Sequence, residues 1–175
     1  MPVTYQLIAS NVLSSSAASV TFSAIPATYT DLVVRWSARD STDAGSFATI
    51  YLQFNTNTGL GQTVYSYTRI RGTGSAASSA FDANFYRGDS SLYNATASTA
   101  NTFASGEFYI PSYTASQNKP YSNFNVAETN ATLAYILTSA GLYRNTAAID
   151  SATIATTGVS FAAGSSFYLY GISKS

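Results

Sequence analysis

The side chains that could perform chemistry in this chain are few, and two of the most versatile types are missing. The 175 residues include no cysteine and no histidine, and eight acidic residues balance eight basic ones. This composition excludes disulfides, thiol nucleophiles, Ser-His-Asp triads, and metal sites that need imidazole or thiolate ligands. It also removes the side chain that transfers protons most readily near neutral pH. We therefore expect no cofactor, no bound metal and no catalytic residue, and we predict that the chain is not an enzyme.

Two pairs of carboxylates could in principle form a cation site or a hydrolytic site. Asp40 and Asp43 stand three residues apart after a predicted strand, where their oxygens could bind calcium. Because further carboxylates are missing nearby in the sequence, we favour a turn that is capped by its own aspartate side chains. Glu107 and Glu128 are the only glutamates, and such a pair could cleave a glycosidic bond. Since both lie in or beside predicted strands, a charge at a strand edge or an ion pair with arginine is the simpler expectation.

The segment Arg69–Gly74 places two arginines on one face of a predicted strand and adds a glycine-rich turn after them. A phosphate site of this kind requires the loop to begin a helix. The next residues, Ser75–Ser79, are a run of serine and alanine, so the nucleotide interpretation has little support. We expect the arginines to pair with carboxylates or to contact another subunit, where arginine is enriched.

Aromatic side chains and arginine supply the remaining candidates, as contact residues. The chain has 14 tyrosines and 10 phenylalanines, but only 9% of its residues are charged. Tyrosines on the wet face of a strand, such as Tyr51, can stack on sugars or form protein interfaces at little entropic cost. We favour contact with a subunit or partner over sugar binding. The predicted contact residues are Tyr65, Tyr67, Arg69, Arg71, Phe85, Tyr86, Arg87 and Tyr93.

These side chains must be positioned by β-strands. Threonine, tyrosine, phenylalanine, valine and isoleucine favour pleated surfaces, and apolar side chains alternate with polar ones along several segments. Ten short strands at this spacing are typical of an antiparallel β-sandwich or barrel. The predicted strands are 5–9, 19–24, 32–38, 48–54, 64–71, 103–110, 121–127, 133–138, 152–156 and 166–172.

The composition indicates one domain over residues 1–175, with a long loop region at about 73–102 that is rich in serine, alanine and asparagine. The balanced charge gives no reason to expect a nucleic acid partner. No apolar run approaches the roughly 20 residues that cross a bilayer, so we expect no membrane partner. The first residues lack the charged, apolar and small-residue zones of a secretion signal, which favours a soluble, unprocessed product.

Several segments, in this order along the chain, resemble small virion proteins of tailed bacteriophages. They are Ile25–Leu32, Arg69–Ser75, Phe108–Tyr113, Asn130–Thr132, Gly141–Leu142, Asn145–Ile149 and Phe161–Ile172. The resemblance implies a jelly-roll-like antiparallel β-sandwich of roughly eight to ten strands. It further implies either a capsid decoration (cement) protein or the tip module of a tail fibre, both usually homotrimers.

The resemblance leaves two functions open. The first is a decoration protein on the outer surface of the capsid, bound to the major capsid protein. The alternative is a tail module that recognises a host-surface glycan or protein. Because no shaft or attachment segment precedes the first predicted strand, we expect the capsid role.

Overall fold

The protein is an all-β domain of two packed sheets. The computed structural model describes residues 4–55, 63–88, 90–129 and 134–173, and all strand pairs in this part of the chain are antiparallel. No helix in these ranges is long and apolar enough to cross a membrane. The strands are β1 (Tyr5–Val12), β2 (Ser19–Phe22), β3 (Asp31–Ala38), β4 (Phe47–Phe54), β5 (Tyr65–Gly72), β6 (Ala77–Phe85), β7 (Ser90–Asn94), β8 (Ala104–Ile110), β9 (Lys119–Glu128), β10 (Ala134–Tyr143), β11 (Ala152–Thr156) and β12 (Ser166–Ile172).

All ten predicted strands are confirmed, with shifts at their ends, but the prediction of a long loop region at about 73–102 is wrong for about half of its length. That region contains β6 and β7. β6 lies at the edge of its sheet and exposes residues on both faces, so its side chains show no alternation between apolar and polar types. Its backbone pairing with β5 defines the strand, and backbone pairing leaves little trace in a sequence.

The strand order confirms a jelly roll. Four nested pairs, β1–β12, β2–β11, β3–β8 and β4–β7, form a long antiparallel ribbon. The ribbon is wound so that its successive pairs alternate between two sheets. One sheet contains β1-β12-β3-β8, and the other contains β2-β11-β4-β7. Alternation of this kind is the double Greek key of jelly-roll proteins.

Two hairpins inserted into the ribbon enlarge one sheet. β5–β6 lies between β4 and β7 along the chain, and β9–β10 lies between β8 and β11. β9 pairs with β8, and β10 then pairs with β5, so the large sheet continues as β9-β10-β5-β6. We call these four strands the extension. Because the small sheet has only four strands, it cannot cover the whole inner face of the eight-stranded one.

The core between the sheets relies on aromatic rings that lie directly over glycines. Gly106, Gly141 and Gly171 occupy inner positions of the large sheet, where a Cβ atom would overlap the ring of Trp36, Tyr121 and Tyr29, respectively. Each ring therefore takes the place of the missing side chain. Replacing such a glycine would force the ring away from the sheet.

Polar side chains in the interior fix two places where strand pairing ends. Asn125 Nδ2 of β9 donates 2.7 Å to the Leu92 carbonyl of edge strand β7, and Ser91 Oγ donates 3.0 Å to Asn123 Oδ1. A buried lysine, Lys119, donates to the carbonyls of Gln117, Asn145 and Ala147 at 2.7–3.1 Å. Burial lowers the pKa of Lys119. The hydrogen bonds from Asn125 and Lys119 satisfy backbone carbonyls that no strand pairs with.

One arginine holds the connection between β7 and β8. The Arg39 guanidinium donates to the carbonyls of Thr96, Ser98, Thr99 and Thr102 at 2.8–3.3 Å. A planar guanidinium can reach several carbonyls at once, which an ammonium group cannot do. Arg39 therefore binds four carbonyls of the irregular segment 95–103, which backbone hydrogen bonds to Asp43, Gly45 and Ser46 also hold.

Candidate partner-binding surface

Five of the predicted contact residues come together in one place. Tyr67 and Arg69 lie on β5, Phe85 ends β6, and Tyr86 and Arg87 begin the turn after it. The rings of Tyr67 and Phe85 pack edge to face with centroids 5.6 Å apart, and Phe85 and Tyr86 are 4.9 Å apart. Arg69 lies 5.4 Å from the Tyr67 ring centroid. All five side chains are partly exposed.

Arg87 joins this group to the small sheet. Its guanidinium lies 4.4 Å from the ring centroid of Tyr86 and 4.5 Å from that of Tyr51 on β4, and it donates to the Thr157 hydroxyl. We call Tyr51, Tyr67, Arg69, Phe85, Tyr86 and Arg87 the aromatic–arginine cluster. Because its members already pack on one another, little side-chain entropy remains to be lost on binding.

Arg71 points to the same side of β5 but lies outside the cluster. Its guanidinium is 5.3 Å from the ring centroid of Tyr135, and its Nε donates 3.3 Å to Ser78 Oγ. Tyr135 packs edge to face on Phe47, with centroids 4.4 Å apart. Arg71 thus continues the row of aromatic and arginine side chains along the extension.

The prediction that Tyr65 is a contact residue is wrong, because its side chain is fully buried. Its ring stacks on Tyr143 at 5.0 Å, and its hydroxyl oxygen accepts a 2.7 Å hydrogen bond from the Phe54 backbone. Burial raises the pKa of the Tyr65 hydroxyl. Alternation along β5 defines two faces, but it does not say which of them faces the core.

The prediction for Tyr93 is wrong for the same reason. Tyr93 is fully buried and packs on Phe161 with centroids 5.4 Å apart. Its hydroxyl donates 2.8 Å to Asp40 Oδ2 and lies 3.1 Å from Thr156 Oγ1. Burial raises the pKa of the Tyr93 hydroxyl, and the hydrogen bonds to Thr156 and Asp40 modify it further. Tyr93 anchors a turn and is not available to a partner.

The turn at Asp40–Asp43 is capped by its own side chains, as predicted. Asp40 Oδ1 accepts hydrogen bonds from the backbone N–H groups of Thr42 and Asp43 at 2.6 and 2.5 Å. Asp43 Oδ1 accepts a further one from Gly45 at 2.7 Å. Within the described residues no group of three or more carboxylates is placed to hold a metal ion.

The two glutamates lie too far apart to cleave a glycosidic bond together. Glu107 is in register with Phe124, and Glu128 lies four residues further along β9. At about 3.3 Å per residue their Cα atoms lie about 13 Å or more apart, whereas glycosidases hold the two carboxyl groups roughly 5–9.5 Å apart, and here Glu128 accepts from the Thr129 N–H at 2.8 Å. Glu107 instead forms the ion pair that we predicted, accepting 2.7 Å from Arg35 Nε.

The Arg69–Gly74 segment leads into a hairpin. Thr73 N–H donates 2.9 Å to the Ala76 carbonyl, Gly74 has a positive φ of 83°, and β6 begins at Ala77. The loop therefore opens no helix, and the requirement for the phosphate site is not met.

The outer face of the extension reverses the usual arrangement of polar and apolar side chains, which sequence analysis missed. Five large apolar side chains are exposed there among smaller polar ones such as Thr68 and Thr138, whereas Arg69, Arg71, Asn123, Asn125 and Ser139 point to the inner side of the same strands. We call the exposed group the outer apolar face: Ile70, Phe81, Phe124, Val126 and Ile136, which are 59, 78, 51, 36 and 53% exposed. A shallow groove of 280 Å³ runs between Ile70, Phe124 and Ile136.

A second group of tyrosines lies at the other end of the same outer face. Tyr5 and Tyr168 each lie 6.5 Å from Tyr170, centroid to centroid. Arg35 lies 5.7 and 5.8 Å from the rings of Tyr5 and Tyr170 while it pairs with Glu107. We call Tyr5, Tyr168, Tyr170 and Arg35 the tyrosine row. Aromatic faces beside charged hydrogen-bonding groups are chemically suited to sugars as well as to proteins.

Comparisons of this chain with protein-family models, with curated proteins and with solved structures found no match. Of the segments that carry the resemblance to phage virion proteins, Asn130–Thr132 lies outside the described residues.

Proposed function

We propose that this chain is a structural protein of a bacteriophage virion, a decoration protein that binds the outside of the capsid as a homotrimer and stabilises the shell. The proposal joins the sequence resemblance with the surface just described. It assigns the chain no catalytic step, no cofactor and no nucleic acid or membrane partner.

The outer apolar face is the observation that carries the proposal. With about 200 Å² for each large side chain, its five members expose roughly 500 Å² of apolar surface. That lies near the upper end of what monomeric proteins expose, and patches of this size commonly bind other proteins. The face lies on hydrogen-bonded strands, so it can dock without the entropic cost of ordering a loop.

The aromatic–arginine cluster supplies the second contact surface. Arginine and tyrosine dominate the energetics of protein interfaces, and here they are already packed on one another. A protein with two separate contact surfaces can hold two neighbouring capsid subunits. In a trimer each surface occurs three times, so modest contacts add up.

The first experiment measures where the chain is and how many copies are present. Quantitative mass spectrometry of purified particles, with labelling by electron microscopy, should find hundreds of copies on the capsid shell. A few dozen copies or fewer at the tail would overturn the capsid role. Native mass spectrometry of the purified protein separately tests the trimer.

The second experiment tests the contact surfaces with purified protein and capsids that lack it. Ile136→Asp should weaken binding roughly tenfold or more, because it places a charge in an apolar interface. Val12→Asp changes a similarly exposed aliphatic residue outside both surfaces and is the matched control. If the two variants bind alike, the outer apolar face is not the contact.

Salt provides an independent test of the same contact. Apolar contact is screened little by ions, so binding should survive an increase from about 0.1 to about 1 M NaCl. Release of the protein by moderate salt would show that exposed ion pairs hold it.

The tyrosine row favours a second candidate function, a tail module that binds a host-surface glycan. Tyr170→Ala should then abolish binding on a glycan array, while Tyr67→Ala in the aromatic–arginine cluster should not. Absence of binding to any glycan, together with a high copy number on capsids, removes this candidate.

A further inference from the structure

β6 is a free edge of the large sheet with little to prevent another strand from pairing with it. The strand is nine residues long, contains no proline or lysine, and carries one charge, Asp82. Natural proteins usually protect such edges with prolines, charges or bulges, because an open edge is a template for pairing. The register shift opposite Tyr65 and Tyr67 leaves the stretch from Ala77 to Asp82 in regular pairing with β5.

The backbone of this regular stretch points hydrogen-bonding groups away from the sheet. Thr73 N–H donates to the Ala76 carbonyl at the hairpin loop, and hydrogen-bonded pairs alternate along antiparallel strands. Ser78, Ala80 and Asp82 are therefore the residues that bond to β5. Ala77, Ser79 and Phe81 direct their backbone groups towards the open edge.

Phe81 marks the centre of this edge. It is 78% exposed, the most exposed large apolar residue of the described chain. An antiparallel copy centred on Phe81 would place Asp82 opposite Ala80 of the second copy. Centring on Asp82 would bring two carboxylates face to face, so charge disfavours that register.

We propose that β6 pairs antiparallel with β6 of a second copy across a two-fold axis at Phe81, which joins two eight-stranded sheets into one. The backbone groups of Ala77, Ser79 and Phe81 that point to the open edge supply the hydrogen bonds, and the two outer apolar faces become continuous. The contact is isologous, because the same surface is used by both copies.

The area available fits a weak but specific dimer. A nine-residue strand is about 30 Å long and a sheet about 10 Å thick, so the edge offers roughly 300 Å² per copy. The exposed ring of Phe81 adds about 150 Å². The total for both copies is about 900 Å², close to the roughly 1,000 Å² expected of a small biological interface.

The other three edges are less suited to pairing. β2 has only four residues, and Asn125 donates to a carbonyl of β7. β1 contains a register shift in the middle of the strand, between Leu7 and Ala9, whereas the shift in β6 lies nearer its end, after Asp82. Irregularities of this kind twist an edge away from a flat partner.

Sedimentation and native mass spectrometry of the purified protein test the pairing, from about 1 µM to about 1 mM. We expect an assembly with an even number of copies, which is a dimer, or a hexamer if trimers also form. Ser79→Pro should halve the mass of this assembly, because proline removes a backbone N–H that points to the open edge and makes no hydrogen bond to β5. Phe81→Lys should do the same, and Val12→Lys on β1 is the matched control.

Cross-linking gives a direct readout because the chain has no cysteine of its own. Residues 81 of two paired copies would have Cα atoms about 5.5 Å apart, within disulfide range. Phe81→Cys should therefore form a disulfide dimer under mild oxidation faster than Val12→Cys does.

A monomer at the highest concentration overturns the inference, as does an assembly that survives both Ser79→Pro and Phe81→Lys. Equal cross-linking of the two cysteine variants does so as well. The inference and the proposed function can fail separately. A trimer unaffected by the β6 variants that still binds capsids removes only the pairing, and a β6 dimer absent from capsids removes only the virion role.

Discussion

Gly141 is the position where a single added methyl group should be most harmful. It faces the core from β10, and the Tyr121 ring of the neighbouring strand lies directly over it. A Cβ atom there would overlap Cζ, Cε2 and the hydroxyl oxygen of Tyr121, well inside the 3.0 Å that real Cβ contacts essentially never breach. The ring cannot retreat freely, because it packs edge to face on Phe54 with centroids 6.0 Å apart.

The size of the effect is set by two opposing contributions. Forcing an extra carbon into a packed core costs typically 1–3 kcal/mol and occasionally more. Alanine in a strand gains about 0.5–1 kcal/mol over glycine because it loses less backbone entropy. Since the added Cβ overlaps three atoms of the Tyr121 side chain, we expect a cost at the high end of this range. Gly141→Ala should therefore lower the free energy of unfolding by about 2–3 kcal/mol. For a domain of this size that lowers Tm by roughly 4–12 °C.

Urea unfolding followed by the fluorescence of Trp36, the single tryptophan, measures this loss. Gly72→Ala on β5 is the matched control, because its Cβ would meet only Ile136 Cγ2, at 3.2 Å on the exposed face, where the side chain can shift into solvent. In a Tyr121→Ala background the ring is gone, so Gly141→Ala should become neutral or slightly stabilising. An equal loss with and without the Tyr121 ring would refute the reasoning.

Three further changes test other parts of the structure. Arg39→Lys should lower the free energy of unfolding by about 2 kcal/mol and accelerate amide hydrogen exchange in residues 96–102, because one ammonium cannot replace the contacts to four carbonyls. Unchanged exchange in these residues would contradict this. Lys119→Met should lower the urea midpoint, since three carbonyls lose their hydrogen-bond donor. A midpoint at or above that of the wild type would show that these hydrogen bonds do not stabilise the fold. The pKa values of Tyr65 and Tyr93 are raised in the folded protein, so the stability linked to them is fully present below about pH 10. Above that pH the free energy of unfolding should fall by about 1.4 kcal/mol per pH unit for each of the two tyrosines that keeps its proton in the folded state. Tyr65→Phe should reduce this slope, and a slope equal to that of the wild type would exclude Tyr65 as a source.

Period-two alternation was enough to locate the strands of the roll, because their two faces meet very different surroundings. β3 is an example, with Leu32, Val34 and Trp36 in the core. The segment Leu133–Leu142 could pass for a helix by composition, but Thr138 and Ser139 weaken a helix there and Gly141 would end it, and strand β10 begins at Ala134. β6 was missed because an edge strand exposed on both faces has no reason to alternate.

The candidate surface was predictable only in part. Aromatic and arginine residues did cluster around Tyr67, Phe85 and Arg87, because these types pack on one another wherever the chain brings them together. Tyr65 was misassigned because its polar hydroxyl suggested the wet face, whereas a single backbone hydrogen bond allows it to be buried.

The outer apolar face could not be predicted from polarity, because the extension contradicts the usual rule. Asn123 and Asn125 are buried, and Phe124 and Val126 between and beyond them are exposed. The reason is the edge of β7, where the Leu92 carbonyl accepts a hydrogen bond from Asn125 Nδ2 and the Ser91 hydroxyl donates one to Asn123 Oδ1. Only the tertiary arrangement of the two sheets reveals that requirement.

The nesting of the strand pairs has a consequence for how the molecule is made. β1 pairs on its hydrogen-bonded side only with β12, which is separated from it by almost the whole chain. Contacts between such distant segments slow folding, because a long loop must close before they form. During synthesis on the ribosome the first strand emerges long before its mate, with Tyr5, Leu7 and Val12 among its side chains. β1 therefore waits longer than any other strand of the roll for the strand that it pairs with.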